Sequence, residues 1–146
     1  MTRVKSRKKV GTRGHAVMEL AFFAPWIFFL FTGAVDIGFY EVALIETQNA
    51  ARVACEWTSK DSTKASDSTT ACTYARKELQ SMHNVRSLSS CGASPLVVTA
   101  TAVTGVDGSA ASQVSVTYTS DMLVPIPWLM RQLTVTRTVQ MRLRTT

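Results

Sequence analysis

Residues Leu20–Val35 read LAFFAPWIFFLFTGAV, a run without charge bracketed by Glu19 and Asp36. Five of the six phenylalanines of the chain fall inside it, between Phe22 and Phe31. Extended back to His15 the run covers 21 residues, close to the ~20 that cross about 30 Å of hydrocarbon. Nine Leu, Ile, Phe or Val side chains contribute roughly −4 kcal/mol to insertion, and a central acid costs about 2.5–3.5 kcal/mol. Glu19 lies near one end, where that cost is smaller, so the segment is expected to insert. Working outward toward the amino end, Arg3, Lys5, Arg7, Lys8, Lys9 and Arg13 precede it with no acid among them. They account for the whole net charge of +6 of the 146-residue chain, because the remainder carries ten basic and ten acidic residues. Charge confined to a leader argues against a nucleic-acid-binding domain, which spreads Lys and Arg over a folded face. Lys and Arg beside a span stay cytoplasmic, so the amino end is expected inside and the carboxyl end across the membrane. A cleaved secretory signal peptide requires a shorter apolar run and a small-x-small site, and Thr32-Gly33-Ala34 is a poor one.

An acid inside the entrance to a span carries a cost and usually has a function or a partner. The junction reads Gly14-His15-Ala16-Val17-Met18-Glu19, a glycine five residues before the acid. With the basic leader before it and the apolar helix after it, this resembles the cleavage site of type IV prepilins. The resemblance implies a membrane prepilin peptidase cutting between Gly14 and His15. Cutting creates an ammonium group on His15 in the apolar zone, and the Glu19 carboxylate can neutralise it; a pair in low dielectric is far cheaper than two separated charges. The implied use is between subunits, with Glu19 of an incoming subunit meeting the His15 amine of a neighbour and setting the axial register.

Further residues narrow the likeness. Pro25 follows the acid by six positions, Gly33-Ala34-Val35-Asp36-Ile37-Gly38 supplies a Gly-x-x-Asp-x-Gly segment, and Gln48-Asn49-Ala50-Ala51-Arg52 an Asn-Ala-Ala-Arg. At the far end come Val114–Tyr118, the proline-containing Leu123–Leu129 and the stretch Leu133–Leu143. Together these resemble the TadE-like minor pseudopilins of tight-adherence (Flp) pili. The likeness covers both ends of the chain around a variable middle. It implies a structural subunit of the bacterial inner membrane, with the distal domain periplasmic or carried out on a pilus. The implied partners are the membrane, the prepilin peptidase, other pilin or pseudopilin subunits and the inner-membrane assembly platform. It implies no cofactor, no nucleic acid and no small-molecule substrate.

Beyond Asp36 the residues Ile37, Tyr40, Leu44, Thr47, Ala51 and Ala54 recur at three- and four-residue spacing, so the helix is expected to continue to about Trp57 with that face packed. Val42 and Ile45 fall off the stripe and suit contact with neighbouring subunits. Thr58–Thr70 reads as a solvated loop, Ala71–Asn84 as a short helix and Ser87–Ser94 as a loop. Leu96–Thr104 and Gln113–Ser120 alternate and are β-branched, which predicts a hairpin across GVDGSAAS. Leu133, Val135, Arg137, Val139, Met141 and Leu143 alternate with polar residues in a third strand, with Arg137 expected at the sheet margin and its head in water. Leu123–Met130 is apolar with two prolines, which excludes it from a central strand; it is expected to cap the sheet core, a bilayer or partner contact being the alternative. The fold class is therefore α+β: a long N-terminal helix packed on a small antiparallel sheet of about three strands, with one short extra helix. The organisation is a leader at 1–14, a transmembrane helix at 15–36 and an extracytoplasmic domain at 37–146.

Cys55, Cys72 and Cys91 all lie beyond the span, where an oxidising compartment favours one disulfide. Cys72 with Cys91 ranks first, because it staples the two ends of the second helix; Cys55 with either is the alternative. A zinc site with His83 lacks any closely spaced cysteine pair. No phosphate loop, no nucleophile motif and no metalloprotease motif is present, so no enzyme is expected. Asp36 reads as an interfacial cap. The competing function is an unprocessed bitopic anchor carrying a periplasmic binding domain; a membrane-tethered enzyme, a third class, needs a polar cleft that the sequence does not advertise.

Overall fold

The computed structural model describes residues 13–126 and 130–144; the side chains at 13, 123–126 and 130–131 fall outside that description. The basic leader up to residue 12 lies outside the described residues, and so do the side chains on which the expected capping of the sheet core by Leu123–Met130 rests. The elements run α1 (Arg13–Thr58), α2 (Ser68–Glu78), β1 (Gly92–Ala93), β2 (Leu96–Thr104), β3 (Ala110–Ile126) and β4 (Met130–Arg142), with single 3-10 turns at Ser62–Lys64 and Leu79–Ser81. The chain divides into two compact units after Val35. The class is α+β.

In the Asp36–Thr146 unit the strands form one antiparallel sheet in the order β1-β2-β3-β4, so there are four strands where three were expected. The additional one, Gly92–Ala93, falls in the predicted Ser87–Ser94 loop and pairs with Val97 and Leu96. Two small residues carry no strand signal of their own. The Cys72–Cys91 disulfide, which joins α2 to the residue before β1, holds them in place. The β2–β3 hairpin closes in a shorter turn than GVDGSAAS suggested. Gly105 N–H donates to Ser109 O at 2.7 Å, Asp107 accepts from Ser109 N–H at 3.1 Å, and Gly108 takes φ +74°, where a side chain is disfavoured.

β3 also runs further than expected, through Val124 and Pro125 to Ile126. The physical reason is that β2 stops pairing at Tyr118. Beyond it β3 has a neighbour on one side only, and a proline is tolerated on such an edge. The β3–β4 register is regular to Asp121↔Gln132 and shifts before Ile126↔Met130.

The buried face of α1 in this unit consists of Asp36, Ala43, Thr47, Ala50, Ala51, Ala54, Cys55 and Thr58. This stripe is rotated from the expected one: Ile37 is 63% exposed, while Val42 and Ile45 are exposed as anticipated. Small residues won the interface over larger apolar ones because a helix backbone that approaches a sheet closely packs on Ala and Cys without leaving voids. Opposite them lie Ala71, Ala75 and Leu79 of the α2 region and Leu96, Val98, Val114, Val116 and Tyr118 of the sheet. Arg137 is half-buried on the margin strand β4, flanked by buried Val135 and partly buried Val139.

Polar groups in this core are mostly paired. Ser112 Oγ donates to Ala65 O at 2.8 Å and stands 2.7 Å from Thr58 Oγ1, which is also 3.1 Å from Cys55 O. Ser112 spends its one proton on Ala65, so Thr58 donates to Ser112 in preference to the longer contact. Thr47 is the exception. Its Oγ1 is buried with no partner among the described residues. Thr47→Val keeps the shape and removes the orphaned hydroxyl, and it is expected to raise stability by about 1 kcal/mol, read as a higher urea midpoint of the full chain in detergent.

Asp67 caps α2, its Oδ1 accepting from Thr69 N–H at 2.9 Å and Thr70 N–H at 3.1 Å. The Thr70 hydroxyl and then its N–H hold the Asp67 carboxyl below its ordinary value. A depressed folded-state pKa stabilises above the unfolded value and is lost as pH falls through the folded one. Asp67→Ala is therefore expected to lower the thermal midpoint at pH 7, with the gap to the parent closing in acid below the ordinary carboxylate range.

Candidate functional site

In the unit ending at Val35 the large apolar side chains of the helix are exposed, whereas Thr32 is buried. Phe22 is 76% exposed, Trp26 66%, Phe29 63% and Phe31 69%. A helix that is apolar all round and unburied within its own chain demands an apolar surrounding. It is the one described helix long and apolar enough to cross a membrane. Gly14 and His15 occupy its first turns, where the backbone N–H groups have no helical acceptors. Glu19 follows His15 by four residues, which places both on one helix face a turn apart. A Cβ added at Gly14 would meet nothing within 4 Å, nor would one at Gly33 or Gly38. Their lack of a side chain is therefore not demanded by packing inside this chain. Pro25 sits within the helix and removes the N–H that the Ala21 carbonyl would accept. Thr32 Oγ1 donates to Phe28 O at 2.8 Å, one turn further along. Asp36 ends the apolar run as a buried carboxylate, 7% exposed.

The Asp36–Thr146 unit contains a groove of about 440 Å³. Phe39, Tyr40, Val42 and Ala43 of α1 form one wall; Tyr118, Met122, Leu133 and Val135 form the sheet side; and Asp36, Glu46, Asp121 and His83 contribute its polar groups. Tyr118 Oη donates to Asn84 Oδ1 at 2.6 Å, and Asn84 Nδ2 donates to Thr119 O at 2.9 Å, which locks the segment after α2 onto the sheet. Residues 34 apart make the Tyr118–Asn84 contact, and no local spacing announces it. Among the described residues no nucleophile is hydrogen-bonded to a base in this groove, and no three His, Cys, Asp or Glu side chains gather as a metal site.

Comparison with known proteins returns nothing: no family model, no curated protein and no solved structure matches this chain.

Of the residues singled out in the sequence, Gly14, His15, Glu19, Pro25, Gly33, Asp36 and Gly38 all stand on α1, and Cys72 is bonded to Cys91 with their Cα atoms 5.7 Å apart. The disulfide joins the middle of α2 to the start of the sheet, not the two ends of the helix. Cys55 is the free thiol. It is buried, its Sγ donates to Ser112 O at 3.2 Å, and burial pushes its pKa up, so it stays a protonated packing residue.

Proposed function

We propose that this chain is a minor pseudopilin, a structural subunit of a tight-adherence (Flp, type IVb-like) pilus or related secretion system, made as a precursor and cut after Gly14. The observation that carries the reading is the Gly14–x4–Glu19 junction between a basic leader and an outward-facing apolar helix. Gly33 and Gly38 agree with it, because glycines whose Cβ position is open allow neighbouring helices to approach closely. The disulfide beyond the span supports an oxidising compartment for the distal unit. In this reading the amino end lies in the cytoplasm, the helix is held in the inner membrane, and the distal α+β unit is presented to other subunits and the assembly platform. The mechanism is packing and charge neutralisation.

The test compares the parent chain with Gly14→Ala and Gly14→Val, each co-expressed with a prepilin peptidase. The open space around Gly14 makes a folding effect of either substitution negligible. The parent is expected to shift to a shorter form and Gly14→Val to stay full length. Processing that ignores the residue at this position would leave only an uncut membrane-anchored domain.

A further inference from the structure

β4 is the last strand of the sheet, and the outer edge of its backbone carries no partner among the described residues. Three hydrogen bonds fix which groups lie on that edge. Gly105 N–H to Ser109 O (2.7 Å), Thr119 N–H to Pro95 O (2.8 Å) and Leu143 N–H to Ala110 O (2.9 Å) set one phase through the whole ladder. In an antiparallel sheet the backbone of successive residues points alternately to the two neighbours. Val135, Arg137, Val139 and Met141 therefore bond to β3, and Thr134, Thr136, Thr138 and Gln140 present their N–H and C=O groups outward. The two periods coincide, so the outward-bonding residues also place their exposed side chains on the face of the sheet away from the helices.

An open edge of this length invites another strand, and a charge that points inward is one of the devices by which proteins restrict what can add there. Arg137 is that charge. It stands opposite Val116 on the inner face, half-buried, with no carboxylate partner among the described residues. β4 itself contains no acid. Two copies pairing through β4 would set Arg137 against its equivalent or against Leu133, Val135, Val139 or Met141, and none of these receives the guanidinium. A strand with an acid at that position would receive it.

We infer that the β4 edge is a docking site for an extended segment of a partner protein that adds as a fifth strand. The segment carries an acidic residue opposite Arg137, apolar residues two positions to either side and polar residues between them. Main-chain bonds to Thr134, Thr136, Thr138 and Gln140 supply affinity, and the Arg137 charge supplies the choice of partner. The inference goes beyond the pseudopilin reading and does not depend on it, because the edge is the same whether or not the Gly14–His15 bond is cut.

The test uses the uncleaved full chain in detergent micelles and a nine-residue probe, Val-Thr-Val-Thr-Glu-Thr-Val-Thr-Val. The probe is N-methylated at two valines whose N–H groups would point away from β4. Its binding is expected to slow amide exchange at Thr134, Thr136 and Thr138 at least tenfold. Lys in place of the central Glu is expected to weaken binding at least tenfold, and Arg137→Glu to reverse that preference. Thr136→Pro removes an outward N–H that the sheet does not use, so it is expected to leave the fold intact and abolish binding. Absence of binding, equal affinity for the Glu and Lys probes, or binding without protection of β4 overturns the inference. So does a dimer of the chain that protects β4 in the absence of probe.

Discussion

Replacing Cys72 and Cys91 together by alanine is expected to lower the stability of the Asp36–Thr146 unit by about 3 kcal/mol, the loss of loop-closure restraint for a cross-link of this span. The two cysteines are 19 residues apart, and the loop between them includes most of α2 and its 3-10 extension. Most of the effect is expected to act on the unfolded chain, but one part of the native structure should respond first. β1 has only two residues, and Cys91 O accepts the Val98 N–H at 3.0 Å. Without the cross-link that pairing has little else to hold it, so the Val98 amide should exchange faster than those of β3. A urea titration of the full chain in detergent reads the global change, and amide exchange reads the local one. A midpoint unchanged by the double substitution would mean that the sheet edge is held by packing alone.

Removing the acid at the head of the helix should have the larger biological effect. Glu19→Val deletes a carboxylate that costs free energy in lipid, so the amount of chain in the membrane should be undiminished. In the proposed reading, in which the chain is cut after Gly14, the His15 ammonium would be left without a counter-charge in the apolar zone. The expected result is a normally trimmed subunit whose ratio in sheared filaments to membranes falls at least tenfold, with partial recovery in Glu19→Asp. Incorporation of Glu19→Val at the parent level would remove charge neutralisation from the account.

How much of this was legible in the sequence follows from the range of the interactions. The helix of α1 could be read because its signal is local: an unbroken apolar run, then a three-four spacing. The alternation from Leu133 to Leu143 likewise shows one face of β4, and Arg137 stands at the margin where its break in the apolar row placed it. The preferred cysteine pair is the one that forms. What escaped was set by tertiary partners. β1 has no propensity and is held by the cross-link and by β2. The helix stripe turned from Ile37 onto Asp36 and Ala43 because the sheet selected small residues. Continuation of β3 through Pro125 depends on where β2 ends. The groove beside Tyr118 could not be read, since Tyr118, Asn84 and Tyr40 come from three separate elements with no common spacing.

For function, the amino-terminal features are sequence features first, and the structure adds that the large apolar side chains from Val17 to Phe31 on the helix carrying them are exposed. The central claim is that a new amino terminus forms at His15. The most direct measurement is the intact mass and terminal sequence of the protein taken from the membranes of its native host. The account predicts a chain lacking Met1–Gly14 and beginning at His15. A chain that still carries Arg3, Lys5 and the rest of its leader, while filaments assemble normally, would contradict it.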